Sequence, residues 1–301
     1  MAAVHQLGYA PNFNARALAA RQTHTIGAVI PTMDNAIFAR GLQAFQEELH
    51  RYGFTLLVAS SQYRPDVEAE QIRALVARGA DALLLIGYQR PDEIYEFLDM
   101  RGVPVLTAWA FDADEERPAI GFDNRLAMKT LADDVIALGH RSIGCISARI
   151  DDNDRARERV EGVRQAMTEA GLDVEHLALV ETEYSIDNGS AAFAQLLQCQ
   201  DRPSVVICGN DVLAVGALRA AQQMGLRVPD DISITGFDDI ELARVVEPPL
   251  TTVHVPHREM GREAAKTLVG LVNGNEAVES RELSTTLCLR DTLGRPRLPS
   301  G

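Results

Sequence analysis

The hydrophobic positions of this chain form short apolar runs that alternate with helical stripes. TIGAVIP (Thr25 to Pro31) is apolar almost throughout, and a run without in-out alternation marks a strand covered on both faces. From Phe38 to Tyr52, Leu42, Phe45 and Leu49 recur at helical spacing. FTLLVAS (Phe54 to Ser60) reads as a second strand and Val67 to Arg78 as a helix closed by Gly79. ADALLLIG is a third strand, Pro91 to Arg101 a helix stopped by Gly102, and VPVLTAW a fourth strand. AIGFD is a short strand before a helix from Arg125 to Leu138, ended by Gly139. Glycine after a helix allows the left-handed turn that ends it.

The alternation then restarts. RSIGCIS, Leu177 to Glu181, SVVICGN and ISITGFD read as strands. Asp154 to Ala170, Asn188 to Leu197 and Asp211 to Met224 read as the helices between them. Two successive β-α series predict two parallel-sheet lobes, each α/β. Parallel sheets bind ligands beyond the carboxyl ends of their strands, so two facing lobes predict a cleft. Thr252 to Gly274 adds a strand and a helix, and Glu282 to Arg290 a β run, a piece able to cross back between the lobes.

Composition narrows the classes. The 301 residues exceed one ordinary core, and 46% hydrophobic with 24% charged residues is ordinary for a globular protein. No apolar run reaches the roughly 20 residues that span a bilayer, and no secretory signal is visible. The reading is therefore cytoplasmic, without a membrane partner. Cys145, Cys199, Cys208 and Cys288 show no CxxC spacing and read as buried small hydrophobes in a reducing compartment. No phosphate loop, GxSxG elbow or HExxH pair occurs, so no enzyme, metal or cofactor is expected. The net charge of -14 argues against a large nucleic-acid surface on the body. Yet no Asp or Glu precedes Asp34, and Arg16 and Arg21 lie in that stretch.

Five segments in order give the chain a family resemblance: LGYAPNFNARALA (Leu7 to Ala19), THTIGAVIP (Thr23 to Pro31), IALGHRSIG (Ile136 to Gly144), GNDVLAVGALRAAQQMGLRVPDDISITGFDD (Gly209 to Asp239) and PPLTTVHVP (Pro248 to Pro256). Together they resemble the LacI family of bacterial transcription regulators over nearly the whole chain. The resemblance implies two Rossmann-like parallel-sheet lobes of the periplasmic-binding-protein type, joined by three crossovers with an effector between them. It divides the chain into residues 1–22, a remnant of headpiece and hinge; 23–138 plus 254–275, the N-terminal lobe; and 139–253 plus 276–301, the C-terminal lobe. It further implies a ligand-responsive regulator, a repressor, whose partners are operator DNA, a sugar or sugar acid and a second copy of the chain. The dimer would use the helix from Phe38 to Tyr52 and surfaces of both lobes, matching a pseudo-palindromic operator. The base-reading helix of such a headpiece is not in this sequence. A transport-type sugar receptor of the same fold is the rival reading; it would need a secretory signal and no hinge.

By the same resemblance Asn14 to Arg21 is the hinge. Leu18 is the wedge into the minor groove with Ala15 beside it, and Arg16 and Arg21 meet phosphates. The plain reading is a short linker. In the cleft, Arg159 would clamp a polar group with its planar fork, or be a solvated helix residue. Asp238 would accept from ligand hydroxyls, while Asp239 caps the next segment. Asn210 would contact ligand, cap the Asp211 helix, or both. Phe38 and Ile37 occupy aromatic-stacking positions, and Tyr184 would close over a sugar. Trp109 is a cleft platform or core packing. His257 replaces an aromatic and makes its corner polar; with Arg159 it favours an acid. Asp123 faces the cleft or caps a helix.

Overall fold

The computed structural model describes residues 22–34, 36–199, 201–275 and 278–297. The first series runs β1 (Thr25–Ile30), α1 (Ala36–Arg51), β2 (Thr55–Ser60), α2 (Pro65–Ala77), β3 (Ala82–Ile86), α3 (Asp92–Arg101), β4 (Val105–Ala108) and β5 (Ala119–Gly121). The second runs α4 (Asn124–Ala137), β6 (Ile143–Ser147), α5 (Asp154–Glu169), β7 (Ala178–Glu181), α6 (Ile186–Leu196), β8 (Val205–Cys208), α7 (Asp211–Gln223), β9 (Ser233–Thr235) and the short α8 (Leu242–Val245). β10 (Thr252–His254), α9 (His257–Val272), β11 (Arg281–Glu282) and β12 (Thr286–Cys288) complete the chain.

Two parallel sheets result, ordered β11-β5-β4-β3-β1-β2 and β7-β6-β8-β9. β1 and β3 are buried along their whole length, as their unbroken apolar runs require. One face of the first sheet packs on α1 and α9, which cross where Gly41 and Gly261 meet; a Cβ on Gly261 would strike the Gly41 carbonyl. β10 pairs antiparallel with β12, and bridges at Thr235–Thr251 and Asp238–His254 tie that segment to the second sheet.

The lobe boundaries differ from those expected. α4 packs along α5, with Gly162 against the Arg125 carbonyl, so 124–137 belongs with the second lobe. β11 pairs with β5 at the edge of the first sheet, so 281–282 belongs with the first. The β run expected from Glu282 to Arg290 is thereby split between sheets. The alternation of strand and helix fixes the order of elements, but long-range pairing decides which sheet each covers. All four cysteines are free thiols; Cys145 and Cys208 are buried as expected, whereas Cys288 is half-buried and Cys199 exposed.

Four helices begin at the carboxyl end of a strand with a side-chain cap. Asp123 accepts from the Leu126 amide (2.9 Å), Asn153 from Ala156 (3.3 Å), Ser185 from Asn188 (3.0 Å) and Asn210 from Leu213 (2.9 Å). The capped ends place positive helix termini along the lobe boundary. Among the described residues no helix is long and apolar enough to cross a membrane.

Candidate functional site

The turn after β9 carries a buried polar site at the boundary between the lobes. Asp211 pins it: its amide donates to the Phe237 carbonyl (2.9 Å), and its carboxylate accepts from the Ile240 amide (2.8 Å) and the Thr252 hydroxyl (2.5 Å). Burial raises the Asp211 carboxyl well above its usual range, and the nearby Asp238 adds to the effect. Asp238 and Asp239 both have positive φ, 106° and 53°, a strained pair of the kind retained where the surroundings force it. The two side chains part company there.

Asp239 does not cap the next segment. It accepts from Arg290 (2.5 Å) and Arg244 (2.8 Å) and meets His254 Nδ1 at 3.0 Å, so it ties three separate segments together. Although partial burial opposes it, the hydrogen bonds from Arg244 and Arg290 hold its carboxyl below the usual range. Asp238 is 1% exposed and turns toward Arg159 and His257, each 3.9 Å from its Oδ1. Neither of its oxygens has a hydrogen-bond partner among the described residues. Burial lifts its pKa to about 7, and Arg159 only partly offsets this.

Arg159 is buried, not solvated. Its guanidinium lies 3.9 Å from the centroid of the Phe237 ring. Nε donates to Asn124 Oδ1 (2.9 Å) and Nη1 to the Gly209 carbonyl (2.7 Å), while Nη2 stands 3.9 Å from Asp238 Oδ1. Asn124 in turn donates to the Trp109 carbonyl (3.0 Å), so the arginine links both lobes.

His257 begins α9. Its Nδ1 lies 3.2 Å from Trp109 Nε1. An indole nitrogen only donates, so Nδ1 accepts and the imidazole proton is assigned to Nε2. Nε2 has no hydrogen-bond partner among the described residues and sits 3.9 Å from Asp238 Oδ1. Burial, then the Arg159 charge, press the His257 pKa down to about 3, so the ring is neutral. Of the two groups expected to favour an acid, His257 therefore brings a neutral N–H and Arg159 alone a positive charge, with Asp238 beside it.

Trp109 is 2% exposed, stacked on His257 (centroids 6.2 Å apart) and tilted on Phe38 (5.4 Å). Its one donor is spent on His257, so it packs and orients rather than offering a platform with a vacant N–H. Ile37 and Phe38 are buried in the first turn of α1. Asn210 divides its roles by atom: Oδ1 caps α7, while Nδ2 is buried with no hydrogen-bond partner among the described residues. Tyr184 is half-buried at the lobe boundary. Asp123 is half-buried and caps α4. The hinge residues Asn14, Ala15, Arg16, Leu18 and Arg21 lie outside the described residues.

Two residues escaped the sequence reading. Ser147, the last residue of β6, holds a buried hydroxyl with no hydrogen-bond partner among the described residues; its place at a strand's carboxyl end was the available signal. Tyr63, after β2, meets Tyr184 in a tilted ring pair with centroids 5.7 Å apart. Ser147, Asn210 and His257 thus offer buried neutral donors and Asp238 an acceptor on the sides of the lobes where the expected cleft forms, with Phe237, stacked on Phe122, beneath Arg159. Such an array can hold a small polar molecule by several directed hydrogen bonds.

Residues 132–293 match the periplasmic binding protein-like domain. The chain is 32% identical to the HTH-type transcriptional repressor PurR of Vibrio vulnificus over 97% of this chain and 88% of that protein. It is 33% identical to the ribose operon repressor of Haemophilus influenzae over the same shares. A solved complex of the transcriptional regulator CelR with cellobiose is 29% identical, with a TM-score of 0.79, covering 96% of this chain and 88% of that one. These relatives are transcriptional regulators, not transport receptors. With its paired parallel sheets and buried polar site at the lobe boundary, this chain belongs to the LacI family of transcriptional regulators and is the ligand-responsive core of a repressor.

Proposed function

We propose that the site binds a small, neutral, polyhydroxylated effector, a sugar, and that its occupancy governs operator binding by a dimer. One observation carries the ligand class: buried donors on Ser147, Asn210 and His257 and the buried acceptor Asp238 have no hydrogen-bond partners among the described residues, and each stands at or just past the carboxyl end of a strand or at a helix start. Buried polar groups are costly without partners, and sugar hydroxyls both donate and accept. A neutral His257 and an acidic side chain, Asp238, beside Arg159 favour a neutral sugar over a sugar acid. The relatives' names, a ribose operon repressor and a regulator bound to cellobiose, point to the same class.

The mechanism is a population shift. Effector favours one arrangement of the lobes, which sets the spacing of the two hinge segments in a dimer. Asn14, Ala15, Arg16, Leu18 and Arg21 would then meet DNA, with Leu18 as the wedge. Calorimetric titration against neutral monosaccharides, sugar acids, purine bases and amino acids tests the reading. Heat from a neutral sugar is expected; binding confined to purines or amino acids overturns it. A parallel sedimentation run at high micromolar concentration should give a dimer, and monomer alone would remove the two-fold part of the mechanism.

A further inference from the structure

The turn between β2 and α2 holds a residue that the hydrogen-bonding array above does not use. The Ser61 amide donates to the Ile30 carbonyl (2.9 Å), and the Arg64 amide donates back to Ser61 (3.0 Å). Between these anchors Gln62 and Tyr63 both lie in the left-handed region, with φ of 55° and 57°. Residues of this kind rarely adopt that conformation, and two in succession persist only where the surroundings hold them. The turn carries Tyr63, of the first lobe, to the lobe boundary. Its ring meets Tyr184 of the second lobe at 5.7 Å and 53°. Tyr63 and Tyr184 follow the carboxyl ends of β2 and β7, the same ends at which Ser147 closes β6 and Asp238 follows β9, and burial raises both phenol pKa values, so the rings are uncharged.

We propose that Tyr63 is a specificity-determining residue: its ring and that of Tyr184 form a two-ring lid that limits the effector to a single sugar ring. The argument rests on the effector reading given above. Elsewhere the site is walled by packed groups, with Trp109 on Phe38 and His257, and Arg159 on Phe237. The tyrosines are held by ring contact across the boundary, so a longer ligand must part them. The phenols also give the lid an aromatic face for the apolar side of a sugar.

The test is calorimetry with D-ribose, D-glucose and D-galactose as one-ring probes and cellobiose as a two-ring probe. Tyr63→Gly removes the ring at a backbone position that glycine adopts freely, so the variant should fold, with a melting temperature at or above wild type. It is expected to lose at least tenfold in affinity for the monosaccharide that wild type binds, and to gain measurable binding of cellobiose. Tyr63→Phe should stay within about threefold of wild type, since the lid works by ring contact. Unchanged monosaccharide affinity with continued exclusion of cellobiose in Tyr63→Gly would overturn the lid. So would wild-type binding of cellobiose as tight as that of a monosaccharide. Asp238→Asn separates the two levels. If it loses the sugar while Tyr63→Gly keeps it, the lid fails alone. If wild type binds none of the monosaccharides, the effector reading fails and the lid with it.

Discussion

Two buried aspartates stand at the lobe boundary and have opposite fates. Asp154, at the start of α5, accepts from the amides of Tyr88 (2.6 Å) and Gln89 (3.2 Å) in the β3–α3 loop and from Arg155 Nη1 (2.8 Å). Arg155 also donates to the Ile86 carbonyl (3.0 Å), Arg157 to Gln89 Oε1 (2.9 Å), and the Gln89 side-chain amide to the Asp151 carbonyl. Although burial opposes it, Arg155 and the amides hold the Asp154 carboxyl below its usual range. Asp238, more deeply buried and without hydrogen-bond partners among the described residues, is pushed up to about 7. Burial is common to both; the supply of donors is what differs. Asp154 is a fastener between the lobes, and Asp238 is a receptor group whose partners come from elsewhere. A cavity of about 710 Å³, lined from both lobes, opens beside the fastener.

Breaking the fastener is expected to have the largest effect. Asp154→Ala leaves two loop amides and a guanidinium without their acceptor, a loss on the order of 3 kcal/mol for a broken buried pair. The melting temperature should fall, and sugar affinity should weaken in proportion to the lost population of the arrangement that Asp154 fastens. Thermal unfolding and calorimetry check both; if neither moves, the clasp does not hold the lobes. Gly87→Ala attacks the same feature from the other side. Gly87 has a φ of 72°, and a Cβ there would press on Arg155 Nη1 and the Asp154 carboxylate. Since those are side-chain ends that can yield, the expected loss is smaller, about 1–2 kcal/mol, mostly from backbone strain. A denaturation midpoint equal to wild type would show that the loop accommodates the methyl.

The receptor side should respond with the opposite sign. The folded pKa of Asp238 is raised from 3.8 to about 7. Its contribution to stability is therefore full below the unfolded carboxyl value and is lost as pH rises through about 7. For His257, depressed from 6.5 to about 3, stability is full above the unfolded imidazole value and is lost as pH falls. Asp238→Asn removes the alkaline loss, so the ligand-free variant should be modestly more stable than wild type at about pH 8 and equal or less so at about pH 5. Sugar binding should fall at the same time. Urea denaturation at the two pH values reads the sign, and a variant less stable than wild type at the higher pH would contradict the receptor role. Stability lost at Asp154 and gained at Asp238 would mark one as architecture and the other as function.

Much of the framework was open to reading because its causes are local. Gly79, Gly102, Gly139, Gly171 and Gly225, placed at helix ends from the sequence, all have positive φ. Asn210 could be read as a helix cap because the cap and the amide it serves lie three residues apart. The roles expected of Arg159, Asp238 and His257 came through family resemblance, and the structure brings all three together.

What the sequence determined by itself was the order of strands and helices, the helix ends, and the residue types available at the carboxyl ends of strands. Those depend on spacing along the chain and on backbone preference. Only the tertiary structure decided which sheet α4 and β11 would join, because strand pairing and helix packing act between distant segments. It also decided that His257 would be neutral, that Asp238 would lack hydrogen-bond partners while Asp154 was fully bonded, and that Tyr63 would meet Tyr184. Charge state and hydrogen-bond supply depend on burial and on neighbours brought from the other lobe, and no local pattern in the chain encodes either.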